Sequence, residues 1–149
     1  MADITAALAA REEITVGGRK LLVGPMTVGG LADYEAWIRQ EPLRAVRPAL
    51  AMAVDDAHRA RLVDEAYREY REGAYSLDND RGQAITSRFD AWVQMLWLQL
   101  RPHNPDLDVE WLRSSMTKAD LDAARPVLAR VNDLPTKPGE TGQTPEAAR

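Results

Sequence analysis

The chain of 149 residues contains no cysteine, one phenylalanine and two histidines. Without thiols there is no disulfide framework, no thiolate nucleophile and no Cys-ligated zinc, which fits a reducing cytoplasm. His58 stands in a charged stretch and His103 in a Pro-bounded loop, and neither has a second His at i+4 or any other metal-ligand spacing beside it. Long apolar runs are missing too: nothing approaches the roughly 20 residues that a membrane-spanning helix needs. The opening MADITAALAAREE has no basic n-region and carries Asp3 within its Ala-rich run, unlike a secretory signal. Basic residues are in deficit, 19 Lys and Arg against 23 Asp and Glu, for a net charge of −4. That balance argues against duplex nucleic acid as the main partner, because phosphate binding favours a basic face. Arg39, Arg44 and Arg47 make a local cationic patch, which reads as a solvated helix face.

Catalytic signatures are absent as well. Gly17-Gly18-Arg19-Lys20 lacks the spacing of a phosphate-binding loop, and no Ser or Thr follows its Lys. There is no G-x-S-x-G elbow, kinase set or Rossmann glycine pattern. Asp78, Asn79 and Asp80 are calcium-type ligands, but the continuation to a Glu that an EF-hand loop requires is missing. The pairs Asp64/Glu65 and Asp120/Asp122 read as solvated helix carboxylates rather than an acid and base. No catalytic residue, cofactor site or metal site is therefore assigned, and the chain reads as a non-enzyme.

What is present is helical periodicity around one apolar stretch. In Gln83–Leu100, Ile85, Phe89, Trp92, Val93, Leu96 and Leu100 recur at three- and four-residue intervals, and Met95, Trp97 and Leu98 widen the stripe. This predicts a buried central helix over about 83–100. Before it, Glu13–Val16 and Arg19–Val23 flank Gly17-Gly18, a pair suited to the positive φ angles of a two-residue hairpin turn. That register sets Val16 opposite Arg19 and Ile14 opposite Leu21, with Ile14, Val16, Leu21 and Val23 on one face. A lone hairpin is marginal in water, so it must rest on the helices or pair with another chain, which leaves self-association open.

The remaining helices follow from caps and breaks. Thr27 caps a helix over about Val28–Gln40 with Leu31, Tyr34, Trp37 and Ile38 as its apolar side. Pro42 predicts a break after Glu41, then a helix over about Leu43–Val54 presenting Leu43, Val46, Leu50 and Val54, which Pro48 either kinks or restarts. Asp55 or Asp56 caps a charged helix with Leu62, Ala66, Tyr67 and Tyr70 as its stripe, closed by Gly73. Asp108 caps a short helix carrying Val109, Trp111 and Leu112. Thr117 with Asp120 reads as a capping box for a last helix buried through Leu121, Ala124, Val127, Leu128 and Val131, with Pro126 kinking it or moving its start. The expected fold class is mainly α (α+β): a helical bundle around the central helix with an N-terminal β-hairpin over about 13–23. Residues 1–12 are expected to be a flexible leader in which Ile4 and Leu8 can dock, residues 13–134 one domain, and the Pro- and Gly-rich residues 135–149 a disordered tail. A domain of about 150 residues buries roughly 70% of its unfolded surface, so it needs no staple.

The order of these segments carries a resemblance. Val16-Gly17-Gly18-Arg19 in the strand pair, Pro25-Met26-Thr27-Val28 at the helix start, the Trp-rich helix ending LWLQLRP, then VEWLRSSMTKADLDAARPVLARVNDL and a Pro/Gly tail resemble the small tail assembly chaperones of long-tailed bacteriophages and prophages. The likeness spans about residues 13–134. Gly29-Gly30 departs from it, since the family more often has helix formers there. The resemblance implies a protein of the host cytoplasm that binds the tape-measure protein, helps recruit the major tail protein that builds the tail tube, and is absent from the finished virion. In many members a programmed frameshift adds a second domain after the tail. A holding role of this kind needs apolar surface, and Tyr34, Trp37 and Ile38 are the candidate partner-binding residues, because a two-helix layer over the central helix can bury only some of them. Two other classes share the acidic helical composition: a structural head–tail connector or neck protein that stays in the particle, and a generic bacterial protein-binding module docking through the charged helix at 56–72.

Overall fold

The computed structural model describes residues 11–132. The expectations for the leader up to residue 10 and for the tail from residue 135 lie outside that range. Among the described residues the order is a hairpin, β1 (Glu12–Val16) and β2 (Arg19–Val23), followed by seven helices: α1 (Val28–Arg39), α2 (Glu41–Ala51), α3 (Asp56–Arg71), α4 (Asp80–Thr86), α5 (Phe89–Leu100), α6 (Val109–Ser115) and α7 (Lys118–Asn132). The protein is mainly helical with an N-terminal antiparallel hairpin, an α+β fold. No described helix is long and apolar enough to cross a membrane. The chain divides into two compact units, one formed by the segments up to Met26 and from Gln99 onward, the other by Thr27–Leu98.

In the first unit the turn forms because Gly17 and Gly18 both take positive φ, 55° and 78°, the pair of angles that matches the right-handed twist of hairpin strands. The register pairs Val16 with Arg19 and Ile14 with Leu21, as the sequence predicts. Ile14, Val16, Leu21 and Val23 are buried on the shared face, and β1 lies against α7. The outer edge of β2 is closed by a side chain: Asn104 accepts the Leu22 N–H at Oδ1 (3.3 Å) and donates from Nδ2 to the Leu22 carbonyl (2.7 Å), standing in for a neighbouring strand. Asp108 caps α6 by accepting the Trp111 N–H. The capping box of α7 is reciprocal, with Asp120 Oδ2 accepting the Thr117 N–H (3.0 Å) and Thr117 Oγ1 accepting the Asp120 N–H (3.1 Å). Leu121, Ala124, Leu128 and Val131 form the buried face of α7, and the helix runs through Pro126 without a new start. Gln99, 1% exposed, donates to the Gly24 carbonyl and to Asn132 Oδ1, which also accepts the Met26 N–H.

In the second unit Thr27 caps α1 by accepting the Gly30 N–H at 2.9 Å, and Asp55 caps α3 by accepting the His58 N–H at 2.7 Å. The end of α3 is a Schellman turn: Gly73 has φ 66°, its N–H donates to the Tyr70 carbonyl, and the Ala74 N–H donates to the Glu69 carbonyl. Two helix expectations need correction. The helix predicted from Leu43 to Val54 instead begins at Glu41, because Pro42 falls in its first turn, where a missing N–H has no partner to lose. It passes through Pro48 and ends at Ala51, leaving Val54 86% exposed beyond it.

The larger correction concerns the central helix. Gln83–Leu100 is two helices, broken at Ser87 and Arg88. Thr86 donates from its hydroxyl to the Gln83 carbonyl, and the Arg88 N–H closes a tight bond on Ile85. Such local side-chain bonds compete with helix continuation. Arg88 then grips both Glu41 and Asp90 with its guanidinium, which holds the corner. As a result Phe89 opens α5 at 42% exposed instead of joining the core, and Trp92, Met95 and Trp97 are half-buried. Ala91, Val93, Leu96, Leu98 and Leu100 carry the buried side of α5.

Candidate partner-binding surface

The three residues singled out on α1 do not share one fate. Ile38 is fully buried and Tyr34 is 5% exposed, so both belong to the core of the second unit. Trp37 is half-buried. Its ring stacks on Tyr34 with centroids 6.1 Å apart and an interplanar angle of 5°, and the Arg44 guanidinium lies 3.8 Å from the Trp37 ring centroid. A cation in that position is drawn by the negative face of the indole. Arg44 also donates to the Trp37 carbonyl and, from Nη2, to Glu41 Oε2 at 2.7 Å. Burial pulls the Arg44 guanidinium's pKa down and the Glu41 carboxylate opposes that. Burial pushes the Tyr34 phenol up, with Asp90 adding to the effect. Of the cationic patch, only Arg39 and Arg47 stand exposed, while Arg44 is committed to this internal network.

Of the three calcium-type residues, Asn79 has structural work. Asn79 Oδ1 caps α4 by accepting the Gly82 N–H and also accepts the Ser76 N–H, while its Nδ2 donates to the Ala74 carbonyl. Among the described residues no three His, Cys, Asp or Glu side chains cluster as a metal would require. His58 Nδ1 accepts the Val54 N–H at 3.3 Å. His103 packs against Gly24, and burial followed by the charge of Arg11 pulls its imidazole below the usual 6.5.

Behind Tyr34 and Ile38, the other face of α1 lines an open cleft of about 330 Å³ together with Tyr70 of α3. Ala32 and Ala36 are one turn apart in its floor, Arg39 and Gln40 lie at its far end, and Glu35 completes the lining. Both Glu35 carboxylate oxygens already serve the fold, accepting the Ser76 hydroxyl and the Leu77 N–H at 3.0 Å each. Apolar periodicity does not mark this face, since its floor is alanine; the only sequence signal is the small pair at i,i+4 followed by Arg39. Large apolar side chains are exposed elsewhere on the same unit: Val28 (89%), Leu31 (50%), Met52 (85%), Val54 (86%) and Tyr67 (49%).

These features define a mainly helical α+β protein with an N-terminal antiparallel hairpin. No protein-family model, curated protein or solved structure matches the chain.

Proposed function

We propose that the protein is a non-enzymatic tail assembly chaperone of a long-tailed phage or prophage, acting in the host cytoplasm by holding the tape-measure protein and helping to recruit the major tail protein. The observation that carries the reading is a set of apolar side chains on the second unit, Val28, Leu31, Met52, Val54 and Tyr67, that stand half or almost wholly exposed. Exposed apolar side chains in such number suit a reversible holder of an aggregation-prone helical client. The sequence resemblance supports the same reading, since its two motifs are the residues that build the Gly17-Gly18 turn and the Thr27 cap. A net charge of −4 accords with a protein client rather than nucleic acid.

Co-expression with the tape-measure protein of the same tail-gene cluster tests this. The expected result is a client that becomes soluble and co-purifies, with the chaperone missing from mature particles by mass spectrometry. Failure to solubilise or capture the client, combined with stoichiometric presence in particles, would replace this reading with the head–tail connector.

A further inference from the structure

We infer that the cleft on the outer face of α1 is the client groove, and that it takes an amphipathic helix of the client carrying a carboxylate that reaches Arg39. This rests on the chaperone reading and assigns its binding site. Three features of the cleft specify the occupant. The floor is Ala32 and Ala36, whose single methyl groups let a second helix approach the α1 backbone closely, as ridge-and-groove packing requires. The wall is Tyr70, 36% exposed, a rigid side chain with an apolar body and a polar tip, of the kind enriched in interface cores. The far end holds Arg39, an exposed guanidinium that forms no ion pair among the described residues, although Glu35 lies one turn before it. Because both Glu35 oxygens are turned to Ser76 and Leu77, the Arg39 guanidinium is left to take a carboxylate from outside.

The groove continues along α1. Val28 is exposed one turn before Ala32 on the same side of the helix, so the face reads Val28, Ala32, Glu35, Ala36, Arg39, the spacing of three and four residues that meets a helix laid alongside. Tyr34 and Ile38 fill the opposite side of α1 and are closed to a client. The binding face is therefore the one of small residues, not the one of large aromatics.

The absence of cysteine makes the test clean, since one introduced thiol is the only one. Ala36→Cys, carrying a photo-crosslinker, is compared with Ser114→Cys, both co-purified with the tape-measure protein after circular dichroism and melting confirm the fold. The Ala36 label is expected to cross-link the client and the Ser114 label is not. Arg39→Glu should reduce client capture roughly tenfold, because it removes an attraction and adds a repulsion. Changing an acidic residue to Lys in the cross-linked client segment should restore capture by Arg39→Glu. A client captured normally by Arg39→Glu, with no cross-link from Ala36, overturns the groove and leaves the chaperone reading standing. A wild-type protein that captures no client overturns both.

Discussion

Gly82 stands so close to Ser76 that a Cβ built on it would lie 1.9 Å from the Ser76 carbonyl oxygen and 2.6 Å from the Ser76 nitrogen. Both atoms belong to backbone that Asn79 and Glu35 hold in place. Gly82→Ala therefore has no side chain to push aside, and the first turn of α4 must shift as a whole. We expect a loss of about 1–3 kcal/mol or more, the range for overpacked interiors. Urea denaturation measures it, and a midpoint equal to the wild type's would mean that the loop yields freely.

Gly24 offers the contrast. A Cβ there would come 2.3 Å from His103 Nε2, but that atom is the tip of a side chain that can swing. Gly24→Ala should fold, displace the ring into water, and raise the imidazole pKa toward 6.5 by relieving the burial that now depresses it. Because the folded pKa is depressed, the unfolded chain takes up this proton first, so the wild type loses stability as pH falls from 6.5 through the folded value. That loss should shrink in the variant. An NMR titration of the two histidines reads the shift directly; an unmoved His103 in a strongly destabilised variant would show that the ring is held.

Glu41 is 7% exposed and sits between two guanidinium groups, Arg44 on Oε2 and Arg88 on Oε1. Its removal leaves Arg44 half-buried, with its Nε already lacking a partner. Glu41→Ala should cost about 2–3 kcal/mol, below the full penalty for an orphaned buried charge because Arg88, 45% exposed, can turn to water. Lys118→Ala breaks a pair whose side chains are 84% and 46% exposed and should cost far less, because water screens it. Equal losses in urea denaturation would contradict this ordering.

Glu41 also explains what could be read from the chain. The hairpin register and the caps at Thr27, Asp108 and Thr117 were legible because each is set locally, the register by the two-residue Gly17-Gly18 turn and the caps by residues three positions apart. The break in the apolar stretch was not, because its corner is held by Arg88 on Glu41, separated by 47 positions. Large apolar groups mark where a helix is buried, so Tyr34 and Ile38 mark the core. The cleft opposite depends on small residues and on Tyr70 from another helix, which no local pattern announces.

The remaining prediction concerns acid. The Asp120 carboxyl is held below its usual 3.8 chiefly by the Thr117 N–H, with the Thr117 hydroxyl and the Gly17 N–H adding to the effect and slight burial opposing it. A depressed folded pKa means stability that is present above 3.8 and is lost as pH falls through the folded value. Asp120→Asn keeps an oxygen for the Thr117 N–H but removes the negative charge that favours a helix N-terminus. The variant should be less stable than the wild type near neutral pH, and the two should converge in strong acid. Glu12 is lowered in the same direction by Arg130, so an acid limb remains in the variant. Urea midpoints across the acid range decide the matter: a gap independent of pH would mean that Asp120 acts through its hydrogen bonds alone, and a gap that closes assigns the effect to its charge.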